Sequence, residues 1–174
     1  MSDAPAGPIG EPFPPMRVGH GLDVHAFASL PRALVLGGVE VPGPGLAGHS
    51  DADVVLHAVC DAILGAGGHG DLGDLVGVDE AATAGAASTA FVARALARVG
   101  ADGWSVGNVD CTVVAQRPRL APHRQAIRDG VAAAVGVAPE AVNVAATTTD
   151  RLGAIGAGEG IACLAVVLLH RRGG

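Results

Sequence analysis

Lysine and tyrosine are absent from the 174 residues, and the remaining aromatics are three Phe and one Trp. Every basic side chain other than histidine is therefore an arginine, and the formal net charge at pH 7 is −6. No basic cluster stands out, which excludes a nucleic-acid or membrane-surface partner as the expectation. Cysteine is scarce too: Cys60, Cys111 and Cys163 form no C-x-x-C pair. Each sits among apolar residues, so buried free thiols in a reducing compartment are expected. No apolar run is long enough to span a bilayer, and the first residues lack a charged n-region and an h-region. The expected localisation is cytoplasmic. With so few aromatics, the 49% hydrophobic fraction is mainly Ala, Val and Leu. Small side chains bury little area each, and burial contributes on the order of 25 cal/mol per Å². Such a core gains from further burial between subunits. By size the chain is one domain.

What the sequence does contain is concentrated between Asp23 and Asp61. Asp23 and His25 lie two apart in a segment that reads as a strand, so they point to one face. Asp53, His57 and Asp61 lie four apart in a segment that reads as a helix, and form a polar stripe among Val54, Val55, Leu56, Val59, Ile63 and Leu64. Ionisable groups in buried elements are costly unless paired or bound to a metal. Asp23, His25 and His57 together make a three-ligand zinc set with a fourth position open, the pattern of a catalytic site. Spacing alone leaves open a satisfied histidine beside a chance Asp-x-His pair. The density of His20, His25, His49 and His57 in one short region favours the metal. Ser50 is the expected N-cap, with Asp53 closing a capping box and the helix running from about Asp51 to Gly65. His49 then stands at the helix entrance, suited to a phosphate or simply part of the cap.

The rest of the chain alternates. Residues 1–15 are Pro- and Gly-rich and are expected to be a disordered tail. A strand over Arg17–Phe27 precedes a hairpin turning at Gly37-Gly38. Residues 65–85 read as a loop with a tight turn at Gly70–Gly73. Ser88 caps a helix that Gly100 stops, and Trp104–Ala115 is a strand whose alternation breaks at Val113-Val114. A helix over Pro122–Val135 and a strand over Ala141–Thr147 follow. Thr147, Thr148, Thr149 and Asp150 offer hydroxyls and a hard carboxylate, suited to a diphosphate with its divalent ion, although Thr is also a common strand residue. Gly160–His170 reads as a central strand, and residues 171–174 as a short polar tail. The fold class is α/β of α+β type, a mixed β-sheet with helices packed on one face.

Arg17-Val-Gly-His-Gly-Leu-Asp-Val-His-Ala-Phe27, Leu36-Gly-Gly-Val-Glu-Val-Pro42 and Gly48-His-Ser-Asp-Ala-Asp-Val-Val-Leu-His57 resemble motifs of the 2-C-methyl-D-erythritol 2,4-cyclodiphosphate synthase family. So do Gly107–Asp110, Ala145-Ala-Thr-Thr-Thr-Asp-Arg-Leu-Gly153 and Gly158-Glu-Gly-Ile-Ala-Cys163, in the family's order from Met16 to about Leu169. The resemblance implies a chorismate-mutase-like or ferredoxin-like sandwich, assembled as a homotrimer with active sites at subunit interfaces. It implies that 4-diphosphocytidyl-2-C-methyl-D-erythritol 2-phosphate is cyclised with release of CMP. Zn²⁺ would sit on Asp23, His25 and His57, and Mg²⁺ or Mn²⁺ at Asp150. His49 and Thr148 would steady charge on the phosphoryl oxygens, with Ser50, Thr147 and Thr149 beside them. Asp71, Leu72 and Gly73 would meet the methylerythritol hydroxyls. Ala115, Gln116, Arg117, Pro118, Arg119, Leu120 and Ala121 would cradle the cytosine, although Arg117 and Arg119 also read as solvated loop charges. Asp61 would orient a ligating histidine from behind.

Four positions depart from the family's pattern. Val76–Glu80 replaces a Phe-Pro-Asp-Thr-like run, Arg119 a lysine, Asp150 a glutamate, and Ala157 an arginine that helps bind prenyl diphosphates. Weak or absent binding of such effectors is the expectation. Two other readings stay open at this point: a zinc-dependent phosphohydrolase and a non-catalytic nucleotide-binding trimer.

Overall fold

The structure is a computed structural model and describes residues 15–77 and 85–171. The expected N-terminal tail up to residue 14, residues 78–80 of the departing segment, and residues 172–174 lie outside the described residues. Six strands, five α-helices and two short 3₁₀ turns are described, in chain order β1 (Met16–Ala26), β2 (Leu34–Leu36), β3 (Val39–Val41), α1 (Val54–Gly67), α2 (Leu72–Val76), α3 (Ser88–Ala101), β4 (Trp104–Ala115), α4 (Arg124–Val135), β5 (Val142–Thr147), α5 (Gly153–Gly156) and β6 (Gly160–Arg171). Among them no helix is long and apolar enough to cross a membrane.

Four strands form one mixed sheet in the order β1-β6-β4-β5, antiparallel except for the β4–β5 pair. β6 is central, as its apolar sequence predicts. Its odd residues Ile161, Cys163, Ala165, Val167 and Leu169 are buried under the helices. The opposite face remains apolar but open: Val18, Leu22 and Val24 of β1 and Leu164 and Val166 of β6 are exposed. The alternation of β4 breaks at a register shift between Val106 and Asn108, not at Val113-Val114. A bulge at Gly107 adds one residue to the strand and restores the inward phase for Val109, Cys111 and Val113. All three cysteines are free and buried.

β1 and α1 meet through glycines. A Cβ on Gly19 would overlap the Ala62 carbonyl, and one on Gly21 the Ala58 carbonyl. The helix axis therefore lies closer to the strand than any side chain would permit, which brings His57 over Asp23 and His25.

The N-terminus of α1 differs from the expectation. Ser50 is not the cap: Ala52 turns back with φ +57°, and the helix starts at Val54 with Asp53 as N-cap. Asp53 Oδ1 accepts from the backbone N–H of Val55 (3.0 Å), Leu56 (3.1 Å) and Gly37 (2.9 Å), and Oδ2 accepts from Gly38 (2.6 Å). Gly37 and Gly38 have φ of +65° and +79°, as a tight hairpin turn requires. One buried carboxylate thus joins the hairpin to the helix and occupies the end of α1 at which an anion was expected. Burial pushes its carboxyl up to about 6, against the pull of those N–H groups. Asp53→Ala would orphan buried donors in both elements. The unfolding free energy should fall by about 3–5 kcal/mol, measured by urea titration at fixed protein concentration.

Two further caps are corrected. Ser88 lies inside the first turn of α3, whose N-cap is Ala87, because its hydroxyl is engaged elsewhere. The segment at Gly70–Gly73 is no simple turn: Asp71 N-caps α2, accepting from Asp74 N–H at 3.0 Å.

Candidate metal centre

β1 delivers Asp23 and His25, and α1 delivers His57. His25 Nε2 and His57 Nδ1 are 3.2 Å apart, and each is 3.0 Å from Asp23 Oδ2. Among the described residues this is the cluster whose donor atoms converge within metal-binding distance. Tetrahedral zinc bonds of about 2.0–2.2 Å place neighbouring ligand atoms roughly 3.3–3.5 Å apart, so the triangle needs only slight expansion to accept the ion. Burial tends to raise the Asp23 carboxyl, but hydrogen bonds and positive charge at the two imidazoles outweigh it and hold the carboxyl well below the usual range. Asp23 is anionic wherever a cation would bind. His25 Nδ1 lies 2.6 Å from the Ala47 carbonyl, which can only accept. The Nδ1 proton is fixed there, so that Nε2, which otherwise donates to Asp23, would present its lone pair to a bound cation. The donor set of two imidazoles and one carboxylate fits zinc.

The cluster opens into a cleft of about 470 Å³. His49, Ser50, Asp61, Asp71, Leu72 and Gly73 line it together with the three donors, as does Phe91. These expected site residues are therefore brought together. Asp61 is in the cleft, but the hydrogen bond its carboxylate accepts comes from Leu72 N–H at 2.7 Å, so it steadies α2 rather than an imidazole. Burial raises its carboxyl.

A second cavity, of about 220 Å³, is lined by Ala115, Gln116, Pro118, Arg119, Leu120 and Ala121 together with Ala146, Thr147 and Thr148. Gln116 Oε1 is the buried side-chain acceptor left without a hydrogen-bond partner among the described residues. Arg117 is absent from this lining. Its guanidinium stacks 4.8 Å above the Phe27 ring and donates to the Gly158 carbonyl. Thr149 is turned away as well, donating to the Leu152 carbonyl at 2.6 Å. Asp150 has φ +51°, is exposed and accepts from Thr148 Oγ1 at 3.2 Å. The two cavities share no lining residue within one chain.

The sequence reading missed Asp51 and Ser88. Ser88 Oγ lies 2.9 Å from His57 Nε2, on the ring edge opposite the cluster, and donates to Asp51 Oδ1. Asp51 Oδ2 also accepts from Ser88 N–H at 3.0 Å. These partners are 37 residues apart, so no local spacing could have joined them.

A mixed-sheet α+β domain that gathers two imidazoles and a carboxylate at an open cleft defines a class of small enzymes able to hold a catalytic cation. The chain belongs to the YgbB family, whose profile matches residues 16–170. It is 54% identical over 159 residues to the 2-C-methyl-D-erythritol 2,4-cyclodiphosphate synthase of Alkalilimnicola ehrlichii, covering 91% of this chain and 97% of that protein. The synthase of Thiobacillus denitrificans is 52% identical over 157 residues, 90% of this chain and 98% of that one. Among solved structures, the Plasmodium falciparum IspF CDP complex superposes with a TM-score of 0.79 at 30% identity, covering 93% of this chain and 100% of that chain. The bifunctional IspDF from Campylobacter jejuni gives 0.87 at 39% identity, covering 92% of this chain and 44% of that longer one.

Proposed function

We propose that this chain converts 4-diphosphocytidyl-2-C-methyl-D-erythritol 2-phosphate into 2-C-methyl-D-erythritol 2,4-cyclodiphosphate with release of CMP. The observation that carries the proposal is the convergence of Asp23, His25 and His57 donor atoms at a cleft, in a chain about half identical to synthases of that name. The substrate's 2-phosphate oxygen attacks the β-phosphorus, the β–α phosphoanhydride bond breaks, and CMP leaves carrying its electron pair. No protein nucleophile is needed, so the residues act by positioning and charge neutralisation. Zn²⁺ held by Asp23, His25 and His57 would supply Lewis-acid polarisation of a phosphate oxygen, and Mg²⁺ or Mn²⁺ at Asp150 would neutralise charge on the phosphate of the departing CMP.

The chain's own groups divide the substrate between them. Asp71 uses Oδ1 for its own helix cap and keeps Oδ2 for the methylerythritol hydroxyls. His49 and Ser50 face the reacting phosphates, and Thr148 stands beside Asp150 to donate to the diphosphate. The pocket at Ala115–Ala121 takes the cytosine, with the orphaned Gln116 Oε1 available to an amino group.

Separate cavities in one chain call for a second copy to bring the nucleotide pocket against the metal cleft. The open apolar face of β1 and β6 supplies the surface for this. The assembly is a homotrimer of ferredoxin-like or chorismate-mutase-like sandwiches with interfacial sites. Light scattering should give three times the 17.0 kDa chain mass. Leu164→Asp should shift it to a single chain mass and lower turnover more than 10-fold, because a charge buried at an interface without a partner is strongly unfavourable. The reaction is tested by incubating the substrate in ¹⁸O-water. A cyclic diphosphate without label and one CMP per turnover support the proposal; a labelled open-chain phosphate identifies a hydrolase instead.

A further inference from the structure

Resting on the cation reading above, we infer that Ser88 and Asp51 are positioning residues that fix the proton of His57 on Nε2 and so hold its Nδ1 lone pair toward the metal. Without a cation His57 Nδ1 can donate to Asp23 Oδ2 at 3.0 Å; with a cation on Nδ1, the hydrogen-bond bookkeeping at the far nitrogen allows one arrangement. A carboxylate can only accept, and Asp51 accepts from Ser88 N–H, Ser88 Oγ–H and, at 3.3 Å, Asp53 N–H. The single hydroxyl proton of Ser88 is therefore used, and its oxygen faces His57 Nε2 at 2.9 Å with only lone pairs to offer. Nε2 must carry the proton. Ser50 Oγ, 3.3 Å from the same nitrogen, accepts from Ala52 N–H and has a second lone pair that can accept from Nε2–H. Ser88 is fully buried and His57 nearly so, which keeps water from replacing the hydroxyl.

His25 is held in the complementary state by the Ala47 carbonyl. Each imidazole thus has its proton pinned on the far nitrogen by a different element, one by a loop carbonyl and the other through α3. The Phe91 ring, 6.1 Å from that of His57 and one turn along α3 from Ser88, completes the wall behind the ligand. Through this chain α3, which contributes no ligand, governs the quality of the site.

Two substitutions separate orientation from bulk. Ser88→Ala removes the acceptor. Asp51→Asn keeps the shape but can present an amide N–H to Ser88 Oγ, turning the hydroxyl proton onto His57 Nε2 and selecting the tautomer that blocks Nδ1. Zinc affinity is read by competition with a chromophoric chelator. Exchange protection of the His57 Nε2–H is read by NMR of the zinc-loaded, ¹⁵N-histidine protein. We expect a protected Nε2–H in the wild type, its loss in Ser88→Ala, and zinc affinity 10–100-fold weaker in both variants, the scale for losing such partners. Either folded variant binding zinc within threefold of wild type, or Ser88→Ala keeping the protected proton, overturns the inference. Wild-type protein that binds no zinc overturns the cation reading itself.

Discussion

Gly21→Ala should disable the enzyme without altering any residue that touches substrate. The added Cβ would overlap the Ala58 carbonyl and crowd Ala62 N and Asp61 Cβ, all on α1. Backbone cannot rotate away as a side chain can, so the helix must move off the strand. Overpacking of this kind costs roughly 3 kcal/mol. The displacement falls on the metal cluster, because Gly21 is two residues from Asp23 and Ala58 is next to His57. A shift near 1 Å in a reacting geometry lowers rates on the order of 10²-fold. The matched control is Gly65→Ala on the same helix, where the nearest atom to a new Cβ is the His20 carbonyl at 3.9 Å. That change should keep full activity and raise stability by up to about 1 kcal/mol, since Ala is the better helix former. Equal loss in both variants would show that α1 tolerates no change at all, and the close-approach argument would be wrong.

The second large effect belongs to His57→Ala. Removing the one ligand supplied by α1 leaves a carboxylate and one imidazole, too few to retain the ion against solvent. Turnover should fall by at least 10²–10³, the scale of losing a single charge-stabilising group in a transition state. Bound zinc, measured by atomic emission on the same preparation, should fall with it. Ellipticity in the far ultraviolet should be unchanged, because the side chain ends in the cleft rather than in the apolar core. Full turnover in this variant would exclude the proposed chemistry.

How much of this could be read from the chain depends on the range of the forces involved. Strand positions followed from two-residue alternation, and the Asp23–His25 pair from the same rule. The Gly37-Gly38 turn followed from local backbone chemistry, and the order of motifs carried the family resemblance. Failures arose where two local candidates competed and a distant group decided. Ser50 and Asp53 are both good helix caps, and Asp53 prevails because its carboxylate also reaches the hairpin 15–16 residues earlier. Ser88 looks like a cap for α3 until Asp51 and His57, 37 and 31 residues away, claim its hydroxyl. The family resemblance sets Arg117 and Thr149 beside the substrate and Asp61 behind a ligating histidine. In the fold their hydrogen bonds run to Gly158, Leu152 and Leu72. The bulge at Gly107 has no signature in the alternation except a phase slip, which a run of Val conceals.

X-ray absorption at the zinc edge, with metal counted per chain on the purified wild-type protein, tests the centre most directly. The expected result is one zinc per chain, bound by two imidazole nitrogens and carboxylate oxygen, with no sulfur. A protein that carries no zinc after equilibration with the ion, or whose zinc sits on cysteine sulfur, contradicts the account.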